Sequence, residues 1–180
     1  MIKSLMVGGA LADVRIFGFD ALGKIDFRAE LSGESGILTE LALGSDSRPS
    51  MYGAQFRFDD SERTAVLVFH NGMLVDVADC NQHSGGETSE LKVYSFQGVK
   101  LGLLVDDDVD SEILWGRICP MCDGIVAIVR ELDLRRTDRI EKLRKVFSVP
   151  VAVCHDGDIV PFGTSSPVSV TPDPHSDSDG

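Results

Sequence analysis

The amino-acid sequence predicts an α/β fold built on a mixed sheet, and three observations carry that prediction. Strand-like and helix-like segments alternate through the second half of the chain, as they do when crossover helices join strands of one sheet. Asn71-Gly72 and Gln97-Gly98 each separate a pair of apolar runs, which adds two antiparallel hairpins to the sheet. Val99–Val105 is apolar apart from Lys100 and Gly102, the pattern of a strand covered on both faces.

Taken in order, Ser4–Val7 and Val14–Phe19 are short apolar runs among glycines and read as strands. Lys24–Leu31 alternates apolar and polar residues and leads to Glu30. Gly36–Leu43 has helical spacing, with Ile37, Leu38, Leu41 and, at the edge, Leu43 on one side and Gly44 as its stop, after which SDSRPS reads as loop. Gln55–Phe58 and Thr64–Phe69 read as strands separated by the polar DDSER, with Met73–Val77 returning after the Asn-Gly turn. Asn81–Glu90 is polar loop, and Leu91–Phe96 pairs with Val99–Val105. Ser111–Cys122 is a helix whose last turn Pro120 disturbs. Ile125–Val129 is a wholly apolar strand, and Leu134–Phe147 is a charged amphipathic helix with Leu134, Ile140, Leu143 and Phe147 inward. VAVC is a buried strand, HDGDIVPFG a loop, and Pro167–Thr171 a last short strand. The expected organisation is one domain over residues 1–172 with a disordered acidic tail over 173–180.

The 180 residues are 43% hydrophobic, enough for one substantial core. A net charge of −12 argues against nucleic acid and anionic membrane surfaces as partners, because both demand positive charge. No run has the apolar length that spans a bilayer, and the first residues lack the apolar region of a secretion signal. Four irregularly spaced cysteines fit reduced thiols better than a disulfide framework. The expectation is a soluble cytoplasmic domain without cofactor.

Asp106, Asp107, Asp108, Asp110 and Glu112 fall where the buried strand Val99–Val105 surfaces. In open α/β sheets that carboxyl end collects functional groups, so this is the leading site candidate. Clustered carboxylates suit Mg²⁺ or Ca²⁺. The simpler reading is a helix N-terminus, whose dipole favours acids, with Asp108 or Asp110 as its cap. Cys119 and Cys122 have redox or zinc spacing, yet they close a helix rather than open one and read as ordinary half-buried thiols. Trp115 reads as a packing anchor.

RTAVLVFHNGMLVDV, VYSFQGVKLGLLVDDDVDSE, CDGIVAIV and VPVAVCHDGDIVPFGTSSPVSVTPD, in that order, resemble segments of the carbon–nitrogen hydrolase (nitrilase-like) superfamily, with the glutamine-amidase domains of NAD synthetases the nearest likeness. RTAVLVFHNGMLVDV resembles the hairpin that leads to the family's catalytic lysine, and VYSFQGVKLGLLVDDDVDSE resembles the strand pair and elbow that present its cysteine. CDGIVAIV resembles its next, Gly-Ala-Asp strand, and VPVAVCHDGDIVPFGTSSPVSVTPD, after the helix bearing Arg139, its closing region, so the likeness spans residues 64–173. It implies a four-layer α-β-β-α sandwich, here shortened at the N-terminus, and dimerisation through residues 111–122 and 134–147. It also implies amide hydrolysis by a Glu–Lys–Cys set, with cysteine as nucleophile, glutamate as acid and base, and lysine on the oxyanion.

Carried over by position, that set is incomplete. The cysteine position falls on Asp106, with Asp107 and Asp108 as the neighbouring acids. The lysine position falls at residues 78–80, near Cys80, and no lysine occurs between Lys24 and Lys92. The glutamate position falls on Glu30, or alternatively Glu34. A carboxylate attacks an unactivated amide far less readily than a thiolate, and its acyl product would be an anhydride. The expectation is therefore a degenerate, non-catalytic relative that keeps vestigial Glu30 and Asp106, binds a small amide-like ligand near Asp107, Asp108 and Cys80, and acts as a homodimer or beside a protein partner. An active amidase with a rearranged or shared site, and a divalent-metal site on the acids, are the alternatives.

Overall fold

The structure, a computed structural model, describes residues 3–7, 10–12, 14–33, 36–46, 48–58, 61–80, 90–162 and 171–172. Two open five-stranded sheets pack face to face with helices outside both, an α-β-β-α sandwich.

The first sheet holds β8 (Val93–Phe96), β9 (Val99–Val105), β10 (Gly124–Ile128), β11 (Val151–His155) and β12 (Asp158–Phe162), in the order β12-β11-β10-β9-β8. Its three central strands run parallel and its edges antiparallel. β10 is buried throughout, which explains why its residues show no polar alternation. α3 (Glu112–Ile118) and α4 (Leu134–Phe147) cover the outer face, where Trp115, Ile118, Ile140 and Leu143 pack on Leu104, Ile125 and Val153. α3 lies so near β9 that a Cβ on Gly102 would meet Ile118 carbons at 3.0 Å and the Cys122 sulfur at 3.1 Å.

The second sheet holds β5 (Ser50–Phe58), β6 (Ser61–His70) and β7 (Met73–Asp79), with β3 (Arg15–Phe17) and β4 (Lys24–Asp26) both parallel to β5. Alternation along β6 sends Val66 and Val68 between the sheets, and Ala65, Leu67 and Phe69 toward the outside. There α2 (Ile37–Gly44) sets Leu38, Leu41 and Ala42 on them, with α1 (Phe27–Ser32) beside it. A small sheet of β1 (Lys3–Val7), β2 (Ala10–Ala12) and β13 (Thr171–Pro172) completes the strands described. The two large sheets are tied by Tyr94 on β8, whose hydroxyl donates to Asp76 on β7 at 2.5 Å.

Both expected hairpin turns form, with φ of 53° and 74° at Asn71-Gly72 and 53° and 82° at Gln97-Gly98. β9 and α4 have the expected bounds. Five local expectations are corrected. Leu134 is 84% exposed, because it opens α4 just after the cap Asp133 and precedes the turn that meets the sheet. HDGDIVPFG is not a loop: Asp156 and Gly157, with φ of 43° and 76°, turn the chain back so that β12 pairs with β11. β5 begins at Ser50 and β6 at Ser61, because unbroken cross-strand pairing from Ser50↔Phe69 to Phe58↔Ser61 carries β5 through Gly53 and β6 through the polar Ser61-Glu62-Arg63. Lys24–Leu31 divides after Asp26, whose carboxylate caps α1 through the N–H groups of Arg28 and Ala29. The cap of α3 is Ser111, and the acids form a separate 3₁₀ turn, Asp106–Asp110. The loop expected at 81–90 falls, except for Glu90, outside the described residues, as do residues 163–170 of the closing segment and the tail 173–180.

Candidate functional site at the carboxyl edge of the first sheet

Parallel register sets Val105 beside Ile128, so the chain leaving β9 and the chain leaving β10 emerge side by side. The first places Asp106 at the edge and the second places Arg130 there. Asp106 turns with φ of 50°, a left-handed conformation that aspartate tolerates better than most residues. A sharp turn of this kind at the end of a buried strand is how hydrolase folds expose a nucleophile. Here it aims a carboxylate at a guanidinium. Asp106 is 1% exposed. Its oxygens accept from Arg130 N at 3.1 Å and Nε at 2.7 Å, with Nη2 at 2.5 Å and Arg136 Nη1 at 3.8 Å.

The other acids are also engaged. Asp107 and Asp110 converge on Arg136 Nη2 at 2.8 and 2.7 Å, which moors the turn to α4. Arg139 adds Glu112 at 3.7 Å and the Asp110 carbonyl. Asp108 points inward, accepting from Val105 N at 3.4 Å and from the Cys80 thiol at 3.6 Å. Cys80 follows β7, 1% exposed in the core between the sheets. The hydrogen bond that Arg130 donates to Asp106 holds its guanidinium more firmly protonated than usual, against the opposing effect of burial. Burial works against the Arg136 charge, but Asp110 and Asp107 outweigh it and raise its pKa.

The fold thus gathers Cys80, Asp106, Asp107 and Asp108 around one strand end. Glu30 lies in α1, where its carboxylate accepts from Leu38 N at 3.2 Å, at the start of the helix that covers the outer face of the second sheet. Glu34 falls outside the described residues. Arg130 and Arg136 are the residues that sequence reasoning missed. Their long-range partners leave no local pattern, although an arginine two residues beyond the strand parallel to an acid-ended strand is a usable signal. Among the described residues no group of three or more His, Cys, Asp and Glu side chains is placed to hold a metal. A polar cleft of about 670 Å³ opens on the solvent side of the turn, lined by Asp110, Glu131, Arg135, Arg136, Arg139 and Lys142 among others. No described helix is long and apolar enough to cross a membrane.

This is an α/β sandwich of two stacked mixed sheets, with a strand-end elbow at the carboxyl edge of one of them. No protein-family model and no curated protein matches the chain. Solved structures do. Glutamine-dependent NAD⁺ synthetase from Acinetobacter baumannii aligns with a TM-score of 0.55 at 13% identity, covering 88% of this chain and 38% of that one. An amidase mutant from the nitrilase superfamily of Nesterenkonia AN1 aligns at 0.53 and 12% identity, over 73% and 57% of the two chains. Another mutant of that amidase, with acrylamide added at its active-site cysteine, aligns at 0.57 and 10% identity over 82% and 68%. The fold is therefore that of the nitrilase-like carbon–nitrogen hydrolases. The chain spans only 38% of the synthetase and 57% of the first amidase.

Proposed function

We propose that this chain is a non-hydrolytic domain on a carbon–nitrogen hydrolase scaffold, acting in binding or assembly. The observation that carries the proposal is the Asp106–Arg130 pair. At the elbow where a nucleophile would stand, a carboxylate is buried and held by three nitrogens of Arg130. Its electron pairs are committed to hydrogen bonds, and acylation would give an anhydride. At the end of β7 the chain offers Cys80 rather than an oxyanion-stabilising lysine, a loss of about 10²–10³ in rate by itself.

A small amide-like molecule meeting Asp107 and the adjoining polar cleft is the ligand class we favour, and a second copy or a protein partner the assembly. The outer helices suit the latter role, since Ile113 on α3 and Leu134 and Val146 on α4 expose 76%, 84% and 59% of their surface. Four free thiols suit a reducing cytoplasm. The rearranged-amidase alternative rests on Cys80 beside Asp108 and Arg130, but that thiol is closed into the core. A divalent metal would have to displace guanidinium groups from Asp106, Asp107 and Asp110.

The test is ammonia release from glutamine and a panel of small amides, run beside light scattering of the purified chain. Background turnover with a stable dimer, or with saturable amide binding that shifts the melting temperature, is the expected result. Turnover that Cys80→Ser abolishes and Asp106→Asn leaves intact would replace this proposal with the amidase.

A further inference from the structure

We infer that Cys119 and Cys122 form a thiol pair that a low-molecular-weight disulfide oxidises to an internal bond, locking the turn between α3 and β10. The two residues bracket a single 3₁₀ turn, Cys119–Met121, closed by Cys122 N donating to Cys119 O at 3.5 Å. Such a turn rises about 2.0 Å per residue, and Cys122 closes it with an extended backbone, φ −135° and ψ 159°. The Cα atoms are then about 6 Å apart, inside the roughly 4.4–6.8 Å range that a disulfide spans. Pro120 stiffens the turn by restricting φ. The Cys122 thiol points back to Cys119 O at 3.9 Å, over the space left by Gly102. Cys80 and Cys154, each 1% exposed between the sheets, are shut off from any such reagent.

The environment also sets what kind of pair this is. Burial, with a lesser effect from the charge of Cys122, pushes the Cys119 thiol up to about 12, and burial raises Cys122 as well. Thiolate is scarce at neutral pH, so attack on an external disulfide is slow. A pair that stabilises its thiolates is a strong oxidant; one that disfavours them makes the disulfide the relatively stable form. The pair is therefore a slow, persistent lock rather than an exchange catalyst. One thiolate attacks oxidised glutathione, releasing one glutathione thiolate. The second protein thiolate then displaces the bound glutathione, so the protein loses two protons and two electrons and two glutathione thiols are formed.

The experiment incubates the full chain with oxidised glutathione across neutral to alkaline pH below unfolding, quenches with acid, and maps the cysteines by alkylation and mass spectrometry. The expected product is about 2 mass units lighter, bonded between residues 119 and 122, forming roughly tenfold faster per pH unit, with Cys80 and Cys154 alkylated only after denaturation. Under the same treatment Cys119→Ser is expected to leave Cys122 as a glutathione adduct. Persistence of the free dithiol, or accumulation of a mixed adduct on the wild-type chain without closure, would overturn the inference.

Discussion

Replacing Arg130 with methionine removes the guanidinium that compensates Asp106 while keeping most of the side-chain stem. What remains around a carboxylate only 1% exposed is one backbone donor at 3.1 Å and Arg136 at 3.8 Å. Leaving one partner of a fully buried ion pair uncompensated costs about 3–5 kcal/mol. The Arg130 side chain is itself 40% exposed, so water enters the space it vacates and Arg136 shares the charge. The expected cost is therefore nearer ~2 kcal/mol, or about 4–8 °C in melting temperature for a domain of this size. Asp106→Asn, which leaves Arg130 free to turn to solvent, should cost ~1 kcal/mol. Adding it to Arg130→Met should cost almost nothing further, because the uncompensated charge is then gone. Urea denaturation of the wild type, both single variants and the double variant gives the coupling directly. A coupling of about 1 kcal/mol is expected. Additivity within ~0.5 kcal/mol would refute the idea that the two groups form one buried unit.

Three further outcomes follow from the same structure. Asp106→Cys alone should leave glutamine and small-amide turnover at background, since no lysine stands at the end of β7; ammonia release above background would contradict this. Gly102→Ala presses a methyl against Ile118 and Cys122 and should cost about 1–3 kcal/mol by urea denaturation, with an unchanged transition ruling out the close approach of α3 to β9. Burial, reinforced for Tyr94 by its bond to Asp76, raises the pKa of both Tyr52 and Tyr94. A phenol raised in the folded state supports the fold fully below its unfolded value near 10 and loses that support as pH climbs above it. Phenolate absorbance should accordingly appear together with alkaline unfolding; ionisation at about pH 10 in a chain that keeps its near-ultraviolet circular dichroism would count against it.

Much of the architecture follows from local chemistry, which is why the sequence alone determined it. The turns at Asn71-Gly72 and Gln97-Gly98 need two residues that accept positive φ, and each lies between apolar runs. β9 declares itself by burial on both faces, and α4 by a 3.6-residue apolar period between Asp133 and Ser148. β12 is legible by the same logic, because Asp156-Gly157 is the same kind of turn signal and Ile159-Val160 follow it, but Pro161 in so short a run argues for loop until the pairing with β11 is known. The elbow was also visible as a buried strand running into acids. What those acids do was not. Asp106 meets Arg130 across 24 residues, and Asp107 meets Arg136 across 29, through the parallel register of β9 on β10 and the descent of α4 over the sheet. Cys80 reaches Asp108 across 28 residues because the two sheets stack. Capping, turn geometry and periodicity act over a few residues and are written in the chain. Charge compensation at a strand end depends on which distant strand lies alongside, and only the packed structure decides it.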